Sequence, residues 1–128
     1  MRKTTPVRDH MSHLPEEIDR REPLASALRR MRELEIRHLP VMDGPEVFGL
    51  LSRQDVHDAW LRHGARTEKQ SVGEVCTREV LMVPPLTPVP EVAQRMIARG
   101  VTSALVMDDG MLVGIFTSVD ALRMLAEA

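Results

Sequence analysis

Gly49-Leu50-Leu51-Ser52-Arg53-Gln54-Asp55 and Gly114-Ile115-Phe116-Thr117-Ser118-Val119-Asp120 follow one pattern: glycine, two apolar residues, a hydroxyl, two spacers and a carboxylate. They stand 65 residues apart in a chain of 128. The same offset, without a gap, carries Leu39-Pro40-Val41-Met42-Asp43 onto Ala104-Leu105-Val106-Met107-Asp108. It also carries Val7 onto Val72, Pro23 onto Pro88, Arg30 onto Arg95 and Met31 onto Met96. Apolar positions correspond too: Leu24 with Val89, Leu28 with Ala93, Ile36 with Val101, Leu50 with Ile115. The chain is therefore a duplication, and every motif must be read in pairs. The join falls in the polar, glycine-containing stretch from His63 to Gln70. Two units, 1–64 and 65–128, are expected to make one globular pair.

Each copy reads as strand, helix, strand, strand, helix. Leu24, Ala27, Leu28, Met31 and Leu34 recur at helical spacing behind Pro23, a residue suited to a first helical position. Val89, Val92, Ala93, Met96 and Ile97 repeat the stripe, with Thr87 as the expected cap and Gly100 as a left-handed stop. Apolar runs at 39–42 and 47–51, and again at 104–107 and 112–116, are separated by Asp43-Gly44-Pro45 and Asp108-Asp109-Gly110, which predicts antiparallel hairpins. A last helix starts at Ser52 or Thr117. The fold class is α+β, two pseudo-symmetric β-α-β-β-α units packed sheet to sheet, because so small a unit cannot bury both faces of its sheet alone.

Composition narrows the function. The chain is 43% hydrophobic and 28% charged with no apolar run near the roughly 20 residues that cross a bilayer, so no membrane role and a cytoplasmic location are expected. A single cysteine, Cys76, excludes an internal disulfide and a CxxC pair. A net charge of −2 and three aromatic residues give no basis for binding nucleic acid. Residues 1–64 carry eleven side chains of each sign and all five histidines, whereas 65–128 carry six basic and eight acidic side chains.

The hydroxyl-to-carboxylate motif has two readings. At a helix start, Ser52 or Thr117 caps the first turn beside free backbone N–H groups and the positive end of the helix dipole, which suits a phosphate. Asp55 or Asp120 then offers two acceptor oxygens to a vicinal diol such as that of ribose. The plainer reading is a capping box, in which the carboxylate turns back onto the N–H of the capping residue.

Taken together, the duplicated motif, the Val7-Arg8-Asp9-His10-Met11 lead-in and Arg37-His38-Leu39-Pro40-Val41-Met42-Asp43 resemble the tandem CBS domain pair, over Val7 to Leu122. The resemblance implies two clefts for adenosine-type ligands such as AMP, ADP, ATP or S-adenosylmethionine. It implies one site combining Thr117 and Asp120 with Ile36 and Arg37, and another combining Ser52 and Asp55 with Val101 and Thr102. Ile36 and Val101 would flank the adenine, whose preference comes from the resemblance and from no residue type here. Arg37, His38 and Arg53 become Thr102, Ser103 and Ser118 in the second copy, so guanidinium clamps face neutral hydroxyls and the sites should differ in phosphate affinity. The plainer reading of Arg37 and His38 is an exposed strand edge. Pro40 also departs, to Leu105.

No Ser-His-Asp, P-loop or HExxH arrangement has supporting context, so no catalytic residue, no catalytic cofactor and no enzyme is expected. His10 and His13 lack a third ligand, and no metal site is expected. The Arg20-Arg21 and Arg29-Arg30-Arg32 groups lie among acids and read as a solvated face. Met31, Met42, Met96 and Met107 take core positions. Trp60 and Leu61 are candidates for self-association, with packing within the chain as the equal alternative. The expected function is a regulatory ligand-sensing module, a homodimer acting on a separate enzyme or transporter; the alternative is a structural or dimerisation module whose clefts are empty or hold another ligand.

Overall fold

A computed structural model describes residues 5–128, so the first four residues of the 1–64 span lie outside the described residues. In chain order the elements are a 3-10 turn at Val7–Asp9, β1 (Ser12–His13), β2 (Ile18–Asp19), α1 (Leu24–Leu34), β3 (His38–Asp43), β4 (Glu46–Ser52) and α2 (Arg53–His63). A second 3-10 run at Gly64–Lys69 leads to α3 (Val72–Val75), β5 (Met82–Val83), α4 (Val89–Arg99), β6 (Ser103–Asp108), β7 (Met111–Thr117) and α5 (Ser118–Glu127). The β-α-β-β-α order thus occurs twice, as β2-α1-β3-β4-α2 and β5-α4-β6-β7-α5. One sheet runs β2-β3-β4 and the other β1-β7-β6-β5. β2 and β5 pair in parallel with β3 and β6, and the hairpins are antiparallel.

The chain forms two compact units, Glu16–Glu79 and the described residues up to Pro15 together with Val80–Ala128. These are displaced along the chain from the sequence copies 1–64 and 65–128, because the lead-in segments change places. Val7 N–H donates to the Thr87 carbonyl (2.8 Å), Arg8 N–H to Pro85 (3.1 Å) and Val89 N–H to Thr5 (2.9 Å). At positions 65 residues away, Val72 N–H donates to Glu22 (2.8 Å), Gly73 N–H to Arg20 (2.8 Å), and Leu24 N–H to Gln70 (2.8 Å). β1 pairs with β7, Ser12 opposite Ile115, and the equivalent Thr77 makes a two-way bridge with Leu50 at 2.9 Å in each direction. The apolar anchors follow: Val7 and Met11 are buried with β6, β7, α4 and α5, and Val72 is buried with α1, β3 and β4. Each sheet is therefore closed by the lead-in of the other sequence copy.

This crossing explains the glycine that opens each motif. A Cβ on Gly49 would overlap the Thr77 carbonyl oxygen and stand 3.0 Å from Cys76 Sγ, and one on Gly114 would overlap the Met11 thioether. Only a residue without a side chain lets the lead-in lie this close to the strand.

Several local expectations change. Pro23 and Pro88 are the capping residues just outside α1 and α4, in extended backbone (ψ 149° and 139°), and not the first helical residues. Thr87 does not cap α4; it is buried, and its carbonyl serves the Val7 N–H. Gly100 ends α4 in the left-handed region (φ 66°), and Glu35 takes the same conformation at the end of α1 (φ 55°). The Gly44-Pro45 and Asp109-Gly110 hairpins use left-handed backbone at Gly44, Asp109 and Gly110, as two-residue turns require. Met31, Met42 and Met96 are buried, whereas Met107 is half-buried.

Candidate functional site

Both sequence motifs sit at a strand-to-helix corner. Ser52 ends β4 and caps α2, and Thr117 ends β7 and caps α5. Both form the full capping box. Asp55 N–H donates to Ser52 Oγ (3.1 Å) while Ser52 N–H donates to Asp55 Oδ2 (2.9 Å). In the second copy, Asp120 N–H donates to Thr117 Oγ1 (3.4 Å), and Thr117 N–H and Oγ1–H donate to Asp120 Oδ2 (2.9 and 3.3 Å). The plainer reading of the motif is therefore realised in the fold. It leaves acceptor capacity, because an ionised carboxylate has about four lone-pair positions.

The other carboxylate oxygen distinguishes the copies. Asp55 Oδ1 accepts the Thr77 hydroxyl at 2.8 Å, and Asp120 Oδ1 accepts from Arg123 at 3.2 Å. Asp120 is buried, Asp55 half-buried. Sequence reasoning missed both partners. Arg123 was legible as a cation three residues after Asp120 on one helix face. Thr77 was legible only through the offset, as the counterpart of Ser12 in the lead-in.

The remaining candidates assemble around these corners within each unit. His38 opens β3 opposite Ser52, and Ser103 opens β6 opposite Thr117. Arg53 N–H donates to the Arg37 carbonyl (3.1 Å), and Ser118 N–H to the Thr102 carbonyl (2.9 Å), so the two spacer loops have one geometry. Ile36 and Val101 are half-buried just before them, and Arg37, Arg53 and Thr102 are exposed. The unit Glu16–Glu79 thus brings Ile36, Arg37, His38, Ser52, Arg53 and Asp55 together with two exposed guanidiniums. Its counterpart brings Val101, Thr102, Thr117, Ser118 and Asp120 together with neutral side chains at the equivalent positions.

Behind the Ser52 corner, the lead-in sets the electrostatics. Cys76 packs on Gly49, and its thiol is pushed up to about 11 by burial, with the negative charge of Asp55 adding to the shift and Arg78 opposing it. Arg78 lies over the Phe48 ring at 3.5 Å and donates from Nε to the Phe48 carbonyl (2.8 Å). Among the described residues no group of three or more His, Cys, Asp or Glu could hold a metal ion, and no helix is long and apolar enough to cross a membrane.

Two β-α-β-β-α copies, each with a capping box at its strand-to-helix corner, define a duplicated α+β domain. The CBS domain family model matches residues 7–62 and 72–127, and the chain belongs to the CBS domain family. Among solved structures, the CBS domain pair of protein MJ0100, in complex with 5′-methylthioadenosine and S-adenosyl-L-methionine, is 26% identical. The match covers 97% of this chain and 98% of that one, with a TM-score of 0.88. Hypoxic Response Protein I, with two coordinated zinc ions, is 27% identical over 94% of this chain and 98% of that one, with a TM-score of 0.79. The chain is also 32% identical over 105 residues to the A-adding tRNA nucleotidyltransferase of Geobacter sulfurreducens; this is 79% of the chain and only 12% of that enzyme.

Proposed function

We propose that this CBS pair is a regulatory module that binds adenosine-type ligands, AMP, ADP, ATP or S-adenosylmethionine, at sites built on Ser52 with Asp55 and on Thr117 with Asp120. The observation that carries the reading is the division of labour within each carboxylate. Oδ2 is fixed by the helix cap, while among the described residues Oδ1 has one donor, Thr77 or Arg123, that a ribose diol can join or replace. The half-buried Ile36 and Val101 provide apolar contact for adenine, and Arg37, His38 and Arg53 against Thr102 provide unequal phosphate contacts. The MJ0100 pair supports the ligand class, since both of its ligands carry adenosine. Signalling requires a ligand that prefers one conformer. The module is proposed to work in the cytoplasm, without a catalytic cofactor, as a homodimer that acts on a separate enzyme or transporter.

Calorimetric titration with AMP, ADP, ATP, NAD and S-adenosylmethionine tests this on the parent chain and on Asp55→Asn and Asp120→Asn, which keep an acceptor for the cap. Each substitution should weaken one site at least tenfold, and Arg37→Ala should weaken ATP more than adenosine. If no adenosine ligand binds at millimolar concentration, or if both Asp variants bind as the parent does, the completed capping boxes serve the fold alone and the protein is a structural module.

A further inference from the structure

Within the unit Glu16–Glu79, α1 and α2 border a groove of about 370 Å³, with Leu28, Met31 and Val56 along its floor and Arg32, Arg53, His57 and Trp60 at its rim. The groove has a charged end and an apolar end. Arg53 N–H donates to the Arg37 carbonyl (3.1 Å), which sets the start of α2 beside the chain leaving α1 and so brings Arg53 and Arg32 to the same end. Trp60 follows Arg53 by seven residues, about 10 Å along the helix axis, and marks the other end. Among the described residues neither guanidinium has an ion pair or a side-chain hydrogen bond, although Arg30 of α1 is held by Glu16 at 3.3 Å. No acid lines the groove. In the other unit the rim positions carry Ile97, Ser118, Leu122 and Leu125, so the same fold is built without this charge.

We infer that this groove binds a free monocarboxylate with an unbranched apolar chain of about eight carbons, the carboxylate at Arg32 and Arg53 and the chain running toward Trp60. The volume falls in the range of small-molecule sites, roughly 300–1,000 Å³. Two unpaired guanidiniums offer planar forks that match a carboxylate, and His57, one turn after Arg53, adds a donor beside them. The floor decides the rest of the ligand. Leu28, Met31 and Val56 have no side-chain donor or acceptor, so the hydroxyls of a sugar or nucleotide would be left unpaired against them. An inorganic anion would satisfy the arginines and leave the apolar floor uncovered. One charged group on an apolar chain answers both ends of the groove. Of the residues placed at the proposed nucleotide sites only Arg53 lines the groove, so the two binding activities can fail separately.

Trp60 is the sole tryptophan of the chain and is 40% exposed, so its fluorescence reads the groove directly. Titration of the full chain with octanoate at millimolar concentration should move Trp60 emission to shorter wavelength. Affinity should rise about two- to fourfold per methylene from hexanoate to octanoate. Octanamide, the same chain without the charge, should bind roughly tenfold more weakly, and Arg32→Gln should weaken octanoate by a similar factor. Arg99→Gln, which removes an exposed guanidinium from the other unit, should leave octanoate binding unchanged. Circular dichroism and a urea midpoint confirm that each variant folds. No octanoate binding, equal affinity for octanamide, or an Arg32→Gln variant that binds as the parent does overturns the site. So does a Trp60 shift on dilution of the protein alone, which would mean that a second copy covers the groove. Capture by phosphatidylglycerol vesicles without binding of free octanoate would overturn it in favour of a lipid surface.

Discussion

Gly49→Ala and Gly114→Ala add the same methyl group at equivalent positions, and the structure makes their effects unequal. The Gly49 methyl would overlap a backbone oxygen, that of Thr77, with Cys76 Sγ at 3.0 Å behind it. That backbone cannot retreat without breaking the two-way bridge between Leu50 and Thr77, whose bonds are 2.9 Å each. Two backbone hydrogen bonds at about 0.5–1.5 kcal/mol each, plus overpacking at about 1–3 kcal/mol, give a cost of roughly 2–5 kcal/mol. The atoms nearest a Gly114 methyl all belong to the Met11 side chain, with Cε at 2.7 Å and Cγ at 2.8 Å, and an unbranched thioether can rotate aside. Its cost should be roughly 1–2 kcal/mol. Urea unfolding followed by circular dichroism measures both. Met11→Ala should offset much of the Gly114→Ala loss in a double-mutant cycle, because it removes the atoms in conflict. Equal losses at the two glycines, or no coupling between Gly114→Ala and Met11→Ala, would refute the crossed lead-ins as the reason for these glycines.

Two further measurements probe single features. Glu35→Gly relieves left-handed backbone (φ 55°) that its counterpart Gly100 adopts freely, and should stabilise the chain by roughly 1 kcal/mol in urea; a loss of stability would show that the Glu35 side chain outweighs the strain. Cys76, whose thiol is raised from 9.0 to about 11, holds roughly a hundredfold less thiolate near pH 8 than an unperturbed cysteine. Iodoacetamide should therefore label the native protein about two orders of magnitude more slowly than the urea-unfolded chain, with the native rate climbing until pH 11; equal rates at pH 8 would remove the shift.

Much of the fold was legible because duplication doubles every signal. Ser52 and Thr117 were identified as caps, Gly100 as a stop and the two hairpins as turns, each from residues within a few positions of one another. What escaped the sequence depends on distance along the chain. Ser12 pairs with Ile115, and a two-residue strand has no periodicity from which that partner could be read. The only trace was Gly49 and Gly114, since glycine inside a strand marks the close approach of another backbone. The site was legible to the same depth. Ser52, Asp55, Thr117 and Asp120 are local motifs, whereas Thr77 reaches Asp55 only through the crossed lead-in. The displacement of Pro23 and Pro88 to the capping position follows from their extended ψ, which composition could not give.

The crossed lead-ins also order events during synthesis. Glu16–Glu79 is continuous in the chain, so that unit holds all its own parts as soon as Glu79 has been made. The first lead-in, with Val7 and Met11, leaves the ribosome earlier but has its partner strand roughly 100 residues later, a delay of about 5–20 s at ordinary rates of translation. Val7 and Met11, both buried in the finished protein, spend that interval without the β6–β7 hairpin that covers them. The Val7 lead-in, made before Glu16–Glu79, thus waits for a hairpin made after it, and the interval belongs to whatever binds nascent apolar segments.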